Sequence, residues 1–192
     1  MGGIMSLILQ GSTSGSVTLQ EPAVAGTTVL TLPAVSGTVL TTGSSGQSIP
    51  KAALPTGSVL QVVSTYYGTT SSTTSGTYVD TGLSASITPT SATSKILVMV
   101  THGTPIKGNA TTDISMRLVR GSTSIWEFGS DMLNVGTVAS NYGTTATIQY
   151  LDSPATTSST TYKTQFLNGQ NSGFTVYAHI AGSSMTLMEI AA

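Results

Sequence analysis

The sequence predicts an all-β protein, and three observations point to it. First, Ser and Thr make up about a third of the 192 residues, while charged residues make up only 7% against a usual quarter. Thr and Val, branched at Cβ, are stiff at χ1 and favour the pleated, half-buried surface of a sheet. Second, from Ser58 onward short apolar–polar alternations are separated by polar turns, the spacing of a sandwich or jelly roll. Third, no stretch shows a convincing 3.6-residue period. So many hydroxyls raise the question of disorder, which goes with low hydrophobicity and high net charge. With 39% hydrophobic residues, a mean hydropathy of +0.23 and a formal charge of -1, this chain is expected to fold.

Taken in order, residues 4–10 (IMSLILQ) form a short apolar strand or docking segment. The flexible GSTSGS of residues 11–16 follows, and Val17-Thr18-Leu19-Gln20 alternates with period two. Residues 21–43 then state one motif twice: Pro22-Ala23-Val24-Ala25-Gly26-Thr27 returns as Pro33-Ala34-Val35-Ser36-Gly37-Thr38. Each copy ends in an apolar pulse, Val29-Leu30-Thr31-Leu32 in the first and Val39-Leu40 in the second. Pro22 and Pro33 cannot donate ladder hydrogen bonds, which rules out a long central strand. Two copies are too few for a self-stacking solenoid. The side chains of Leu19, Val24, Val29, Leu30, Leu32, Val35, Val39 and Leu40 therefore need a partner, and three arms wrapped about one axis would supply it. An extended Thr-rich linker is the plainer alternative. Residues 43–57 (GSSGQSIPKAALPTG) read as a hinge. The chain thus divides into an anchoring and trimerisation arm, residues 1–57, and a β-sandwich head, residues 58–192.

In the head, strands are expected at 59–65, 77–80, 84–88, 95–101, 113–120, 123–128, 144–152, 161–167, 174–180 and 184–190. Ile114, Met116 and Leu118 share one face of their strand, and Phe174, Val176, Ala178 and Ile180 make a similar stripe. Ile96-Leu97-Val98-Met99-Val100 is apolar on both faces, as in a central strand buried twice, once against a neighbouring subunit. Arg120-Gly121-Ser122-Thr123 reads as a tight hairpin turn and residues 132–142 as a long polar loop. The last strand stops two alanines from the C-terminus, so it belongs to the sheet and its deletion should unfold the domain.

Little in the chain carries chemistry. His102 and His179 lie outside any HExxH or His-x-His pair and are expected to face solvent or to hydrogen-bond across strands. The carboxylates Glu21, Asp80, Asp113, Glu127, Asp131, Asp152 and Glu189 are scattered, and nothing in their spacing supports a glycosidase pair. Asp152-Ser153-Pro154 reads as the start of a turn, its carboxylate capping local backbone amides. No calcium loop, Gly-x-Ser-x-Gly elbow or phosphate-cradling loop is present. Zero Cys excludes disulfides and thiolate metal sites. No enzyme activity, cofactor or metal is expected.

The partner classes narrow in the same way. Near-zero net charge gives nucleic acid no electrostatic footprint, and it suits a subunit inside an assembly better than a free monomer. No apolar run approaches the ~20 residues of a membrane span, and the start lacks the basic region of a signal peptide. MGGIMS matches a myristoylation pattern that only eukaryotic enzymes act on, and Asn109-Ala110-Thr111 is a sequon without a secretory signal. Aromatic side chains remain. Tyr66, Tyr67, Tyr78, Tyr150, Tyr162 and Tyr177 are expected in the core or at a subunit interface. Tyr142, in the loop before Gly143, and Trp126 are the candidates for surface recognition.

GSTSGSVTLQEPAVAGTTVLTLPAVSGTVLTTG resembles the shaft or linker segments of tail-fibre and related virion appendage proteins of tailed bacteriophages. The later blocks SATSKILVMV, RLVRGSTSIWE, YLDSPATTSSTTYKTQF and MTLMEIAA are similar to the β-sandwich domains that follow such shafts. The resemblance covers most of the chain and implies a homotrimer, a jelly-roll-like head domain and no catalysis. It places the protein on the virion surface, made in the bacterial cytoplasm and in contact with other virion proteins of capsid or tail. The large N-terminal adaptor domain of long fibres is missing, which raises a compact head-fibre or capsid-decorating role. Two alternatives accompany the appendage reading: a cement protein stabilising the capsid, and a module that binds a host surface glycan or receptor.

Overall fold

Runs with an apolar side chain at every second position become antiparallel strands in the computed structural model, which describes residues 7–10, 12–19, 51–133, 142–170 and 173–192. The chain divides into two compact units, Met1–Gln47 and Ser48–Ala192. In the first, β1 (Leu7–Gln10) and β2 (Ser16–Leu19) form an antiparallel hairpin with Leu7 opposite Leu19 and Gln10 opposite Ser16. The hydroxyl-rich segment between them, expected to be a flexible linker, makes the connection, with Gly15 at φ +79° just before β2. The doubled motif lies outside the described residues, and with it Val24, Val29, Leu30, Leu32, Val35, Val39 and Leu40.

In the second unit a 3-10 turn at Lys51–Ala53 precedes β3 (Val59–Tyr67), β4 (Ser71–Thr73), β5 (Val79–Ile87) and β6 (Lys95–His102). Then come β7 (Ile106–Lys107), β8 (Ile114–Arg120), β9 (Thr123–Met132), β10 (Tyr142–Gly143), β11 (Ala146–Asp152), β12 (Thr160–Asn168), β13 (Val176–His179) and β14 (Ser183–Ile190). They form three four-stranded sheets in the orders β11-β6-β14-β3, β5-β12-β8-β9 and β10-β7-β13-β4. The first two pack face to face. Ile96, Val98 and Val100 of β6 and Met185 and Leu187 of β14 meet Leu83, Ala85 and Ile87 of β5, Leu118 of β8 and Tyr162 of β12. A second cluster, with Ile114, Met116, Phe166, Val176 and Ala178, joins the short-stranded sheet to the β5-β12-β8-β9 sheet. Burying each such side chain stabilises the fold by roughly 1.5–3 kcal/mol.

The expected elements hold at the level of existence, and the differences have physical causes. Residues 77–80 and 84–88, read as two strands, are one strand with a bulge. Opposite β12 the register passes from Ser84↔Lys163 to Asp80↔Gln165, so three β5 residues face Thr164. Gly82, which looked like a break, sits there at φ +91°, and a Cβ on it would come within 2.4 Å of the Tyr67 ring. Both the backbone conformation and the close ring require glycine. Arg120 and Thr123 pair across a two-residue turn whose first residue, Gly121, is at φ +59°, as a type II′ hairpin demands. Strand β6 is central, with Ile96, Val98 and Val100 buried and Leu97 and Met99 half-buried on the opposite face. Phe174 and Ile180, expected in the stripe with Val176 and Ala178, flank β13 and are half exposed.

Strands β4, β7 and β10 have only two or three residues, too few for alternation to register in sequence. As a result Tyr142, expected in a loop, lies in β10, opposite Lys107 of β7.

Candidate interaction surfaces

Cross-strand register builds the main candidate surface. On the outer side of the β11-β6-β14-β3 sheet, Val62 pairs with Met188, Met188 with Leu97, and Leu97 with Leu151. These four side chains form one apolar row across all four strands, because alternation puts residues of equal register on one face. Its two ends are open to solvent, Val62 at 54% and Leu151 at 52% exposure. The next row is Ser64–Thr186–Met99–Gln149, tied by a 3.0 Å hydroxyl–hydroxyl hydrogen bond between Ser64 and Thr186. After it comes Tyr66–Ser184–Thr101–Thr147, where Tyr66 is, among the described residues, the most exposed of the large apolar side chains. The charged side chain on this face is Lys95, beside Ile190 at the corner.

The opposite outer face, on the β5-β12-β8-β9 sheet, has the reverse character. Lys163 Nζ lies 2.8 Å from Asp80, Gln165 Nε2 donates to the other Asp80 oxygen, and Arg117 Nε donates to Gln165 Oε1. The Arg117 guanidinium stacks 3.9 Å above the Tyr78 ring, whose hydroxyl donates to Glu127. Burial and the Glu127 carboxylate push that hydroxyl up to about 12. At Asp80, burial raises the carboxyl, but the bonds from Lys163 and Gln165 outweigh it and hold the carboxyl below its ordinary value. The two positive and two negative charges of this face are thus joined in one network, with Tyr78 standing between Arg117 and Glu127.

Trp126 and Tyr142 lie in different sheets. Trp126 is 46% exposed, and its ring packs 5.4 Å from that of Tyr150, closing the open side of the sandwich where edge strands β9 and β11 approach. Tyr142 is 43% exposed on the edge of the short-stranded sheet. Leu19 closes β2 opposite Leu7.

Three polar sites inside the head went unread in the sequence. Asp152 is not a local cap: Arg120 Nη1 donates to both its oxygens at 2.8 Å and the Tyr162 hydroxyl donates to Oδ2 at 2.6 Å. Burial, with Asp152 beside it, pushes the Tyr162 hydroxyl far above its ordinary value. Glu189, buried in β14, accepts from Gln61 Nε2 at 2.5 Å and from the Thr90 amide and hydroxyl at 2.6 and 2.7 Å. Burial pushes its carboxyl up, but the Gln61 and Thr90 bonds prevail and hold it at about 2.

The third site decides between the two roles expected of the histidines, in favour of hydrogen bonding across strands and against facing solvent. His102 and His179 are both fully buried, stacked with ring centroids 5.6 Å apart, and their Nδ1 atoms are 3.3 Å apart. Burial, reinforced by His179, pushes His102 down to about 3, and burial also lowers His179.

Among the described residues no group of three or more His, Cys, Asp or Glu is placed to hold a metal ion, and no helix is long and apolar enough to cross a membrane. No protein-family model matches the chain, and comparison with curated proteins yields no match.

Proposed function

We propose that this chain is a non-enzymatic subunit of a tailed-phage virion, a homotrimeric fibre-like appendage held by its N-terminal arm and projecting the sandwich. The observation that carries this reading is the two-faced sandwich. One outer face keeps its charges neutralised within itself. The other presents an apolar row, Val62–Met188–Leu97–Leu151, followed by hydroxyl rows, with its charge confined to Lys95 at a corner. Copies of a face of this kind can meet around a rotation axis without like-charge repulsion and with apolar area to bury. The strand order supports the jelly-roll form expected of such heads: β3, β14, β6 and β11 in one sheet and β5, β12, β8 and β9 in the other are visited in turn along the chain, apart from the β8–β9 hairpin, as in a double Greek key.

Sedimentation equilibrium of the full chain tests the assembly. We expect a trimer at micromolar concentration, and a shift to monomer in the double variant Leu97→Lys, Leu151→Lys with an unchanged far-ultraviolet circular dichroism spectrum. A stable wild-type monomer overturns the reading. Cryo-electron microscopy of virions then separates an appendage from a cement protein, because cement copies follow the capsid lattice.

A further inference from the structure

The two histidines sit at a junction of all three sheets of the head. His102 ends β6, His179 ends β13, and between them and the third sheet stand Thr164 of β12 and Thr81 in the β5 bulge. The hydrogen bonds form one continuous line. Leu83 N–H reaches Thr81 Oγ1 at 3.1 Å, Thr81 reaches Thr164 Oγ1 at 2.7 Å, and Thr164 reaches His102 Nε2 at 3.0 Å. His102 Nδ1 faces His179 Nδ1 at 3.3 Å, and His179 Nε2 lies 2.7 Å from the Thr69 carbonyl oxygen.

The ends of this line set its direction. A carbonyl only accepts, so His179 Nε2 carries the hydrogen and its neutral ring leaves Nδ1 bare. His102 Nδ1 must then donate, which leaves His102 Nε2 to accept from the Thr164 hydroxyl. Thr164 accepts in turn from Thr81, and Thr81 from the Leu83 amide. In this arrangement each polar atom of the line is satisfied and both rings are neutral.

We propose that the His102–His179 pair is an acid-operated latch, fastening the short-stranded sheet β10-β7-β13-β4 to the sandwich and releasing it when the rings take up protons. A first proton, on His179 Nδ1, confronts the His102 Nδ1–H at 3.3 Å. The line absorbs it by reversing: His102 becomes the Nε2–H tautomer, Thr164 donates to Thr81, and the Thr81 hydroxyl hydrogen loses Thr164 as its acceptor. A second proton sets two imidazolium rings face to face in the buried site. Among the described residues, the titratable groups seen to face the pair include each imidazole for the other and Tyr67 of β3, whose ring meets His179 edge-on at 5.2 Å.

Both rings titrate below their ordinary 6.5 in the folded state. The latch is therefore complete above pH 6.5 and weakens as pH falls from there toward about 3, since the open state binds more protons. Each ring raises the opening equilibrium by up to tenfold per pH unit, and the two together by up to about a hundredfold.

Native-state hydrogen exchange on the full chain between pH 6.5 and 4.5 reads this directly. We expect β4 and β13 amides to open more than tenfold further per pH unit while central β6 and β14 amides rise less. In His179→Gln, where the amide nitrogen still donates to Thr69, the pH slope falls to at most tenfold per unit. If that variant fails to fold, imidazole nitrogen shifts of the wild-type protein at pH 6 decide: a neutral Nδ1–H ring for His102 and a neutral Nε2–H ring for His179 are expected. Titration of either ring near 6.5 in the folded protein, exchange in β13 that ignores pH, or one common slope for all strands would each overturn the latch.

Discussion

At the scale of single residues, the head is held by polar side chains whose partners are remote in sequence. Asp152 terminates β11, yet its carboxylate is claimed by Arg120 at the β8–β9 turn and by Tyr162 in β12, both in the other sheet of the sandwich. Tyr162 is fully buried, so its hydroxyl has no water to replace a lost acceptor. Tyr162→Phe removes one donor and leaves Asp152 its Arg120 bonds, and should cost about 1–1.5 kcal/mol. Asp152→Ala orphans the buried Tyr162 hydroxyl and strips Arg120 of its pair, and should cost more, about 2–4 kcal/mol. Urea unfolding midpoints at unchanged slope measure both, and equal costs for the two variants would contradict this assignment. A local pattern, Asp-Ser-Pro, suggested a backbone cap because spacing reports only neighbours in sequence. The histidines failed to declare their burial for the same reason: each finds its partner 77 residues away.

At the scale of elements, legibility followed length. Strands of seven or more residues with strict alternation, such as β12 with Tyr162, Thr164, Phe166 and Asn168 buried and their neighbours half exposed, announce themselves by period. The bulged β5 reads as two strands because Gly82 interrupts it in sequence, although its buried positions, Thr81, Leu83, Ala85 and Ile87, keep strict alternation through the bulge. The sheet built from β4, β7, β10 and β13 was invisible because its pairing comes from chain path, not from propensity. Elements are also fastened by side chains the period cannot weigh. Glu189 in β14 holds Gln61 of β3 and Thr90 of the β5–β6 connection, and Gln61 Nε2 also reaches the Thr88 carbonyl at 2.7 Å. Its folded carboxyl, at about 2, lies below the ordinary 4.5, so ionised Glu189 stabilises the fold fully above pH 4.5. That contribution fades as pH falls from 4.5 toward 2. Glu189→Gln should lower stability at pH 7 by about 1.5–3 kcal/mol, a loss of charge-assisted bonds. It should also flatten the acid limb of the stability curve below pH 4.5. An acid limb unchanged in the variant would mean that other carboxylates carry it.

At the scale of the whole molecule, the proposed assembly has two candidate drivers: the doubled arm motif and the outer face of the head that carries the apolar row. The arm offers Val29, Leu30 and Leu32, whose burial would be worth roughly 4 to 9 kcal/mol per chain at ~1.5–3 each. The face offers the apolar row Val62–Met188–Leu97–Leu151, half exposed at each end. The two contributions separate by substitution, because the head residues form a unit, Ser48–Ala192, with its own cores. Replacing Val29, Leu30 and Leu32 with Ser should weaken oligomerisation or particle attachment and leave the melting of the head within about 2 °C of wild type. Attachment to virions, followed by co-sedimentation, and head melting, followed by calorimetry, are the two readouts. If attachment falls while the isolated protein stays trimeric, the face assembles the subunits and the arm serves the particle. If the trimer falls apart as well, the arm holds both. If melting of the head drops in step with attachment, arm and head share one core and the division at residue 57 is wrong.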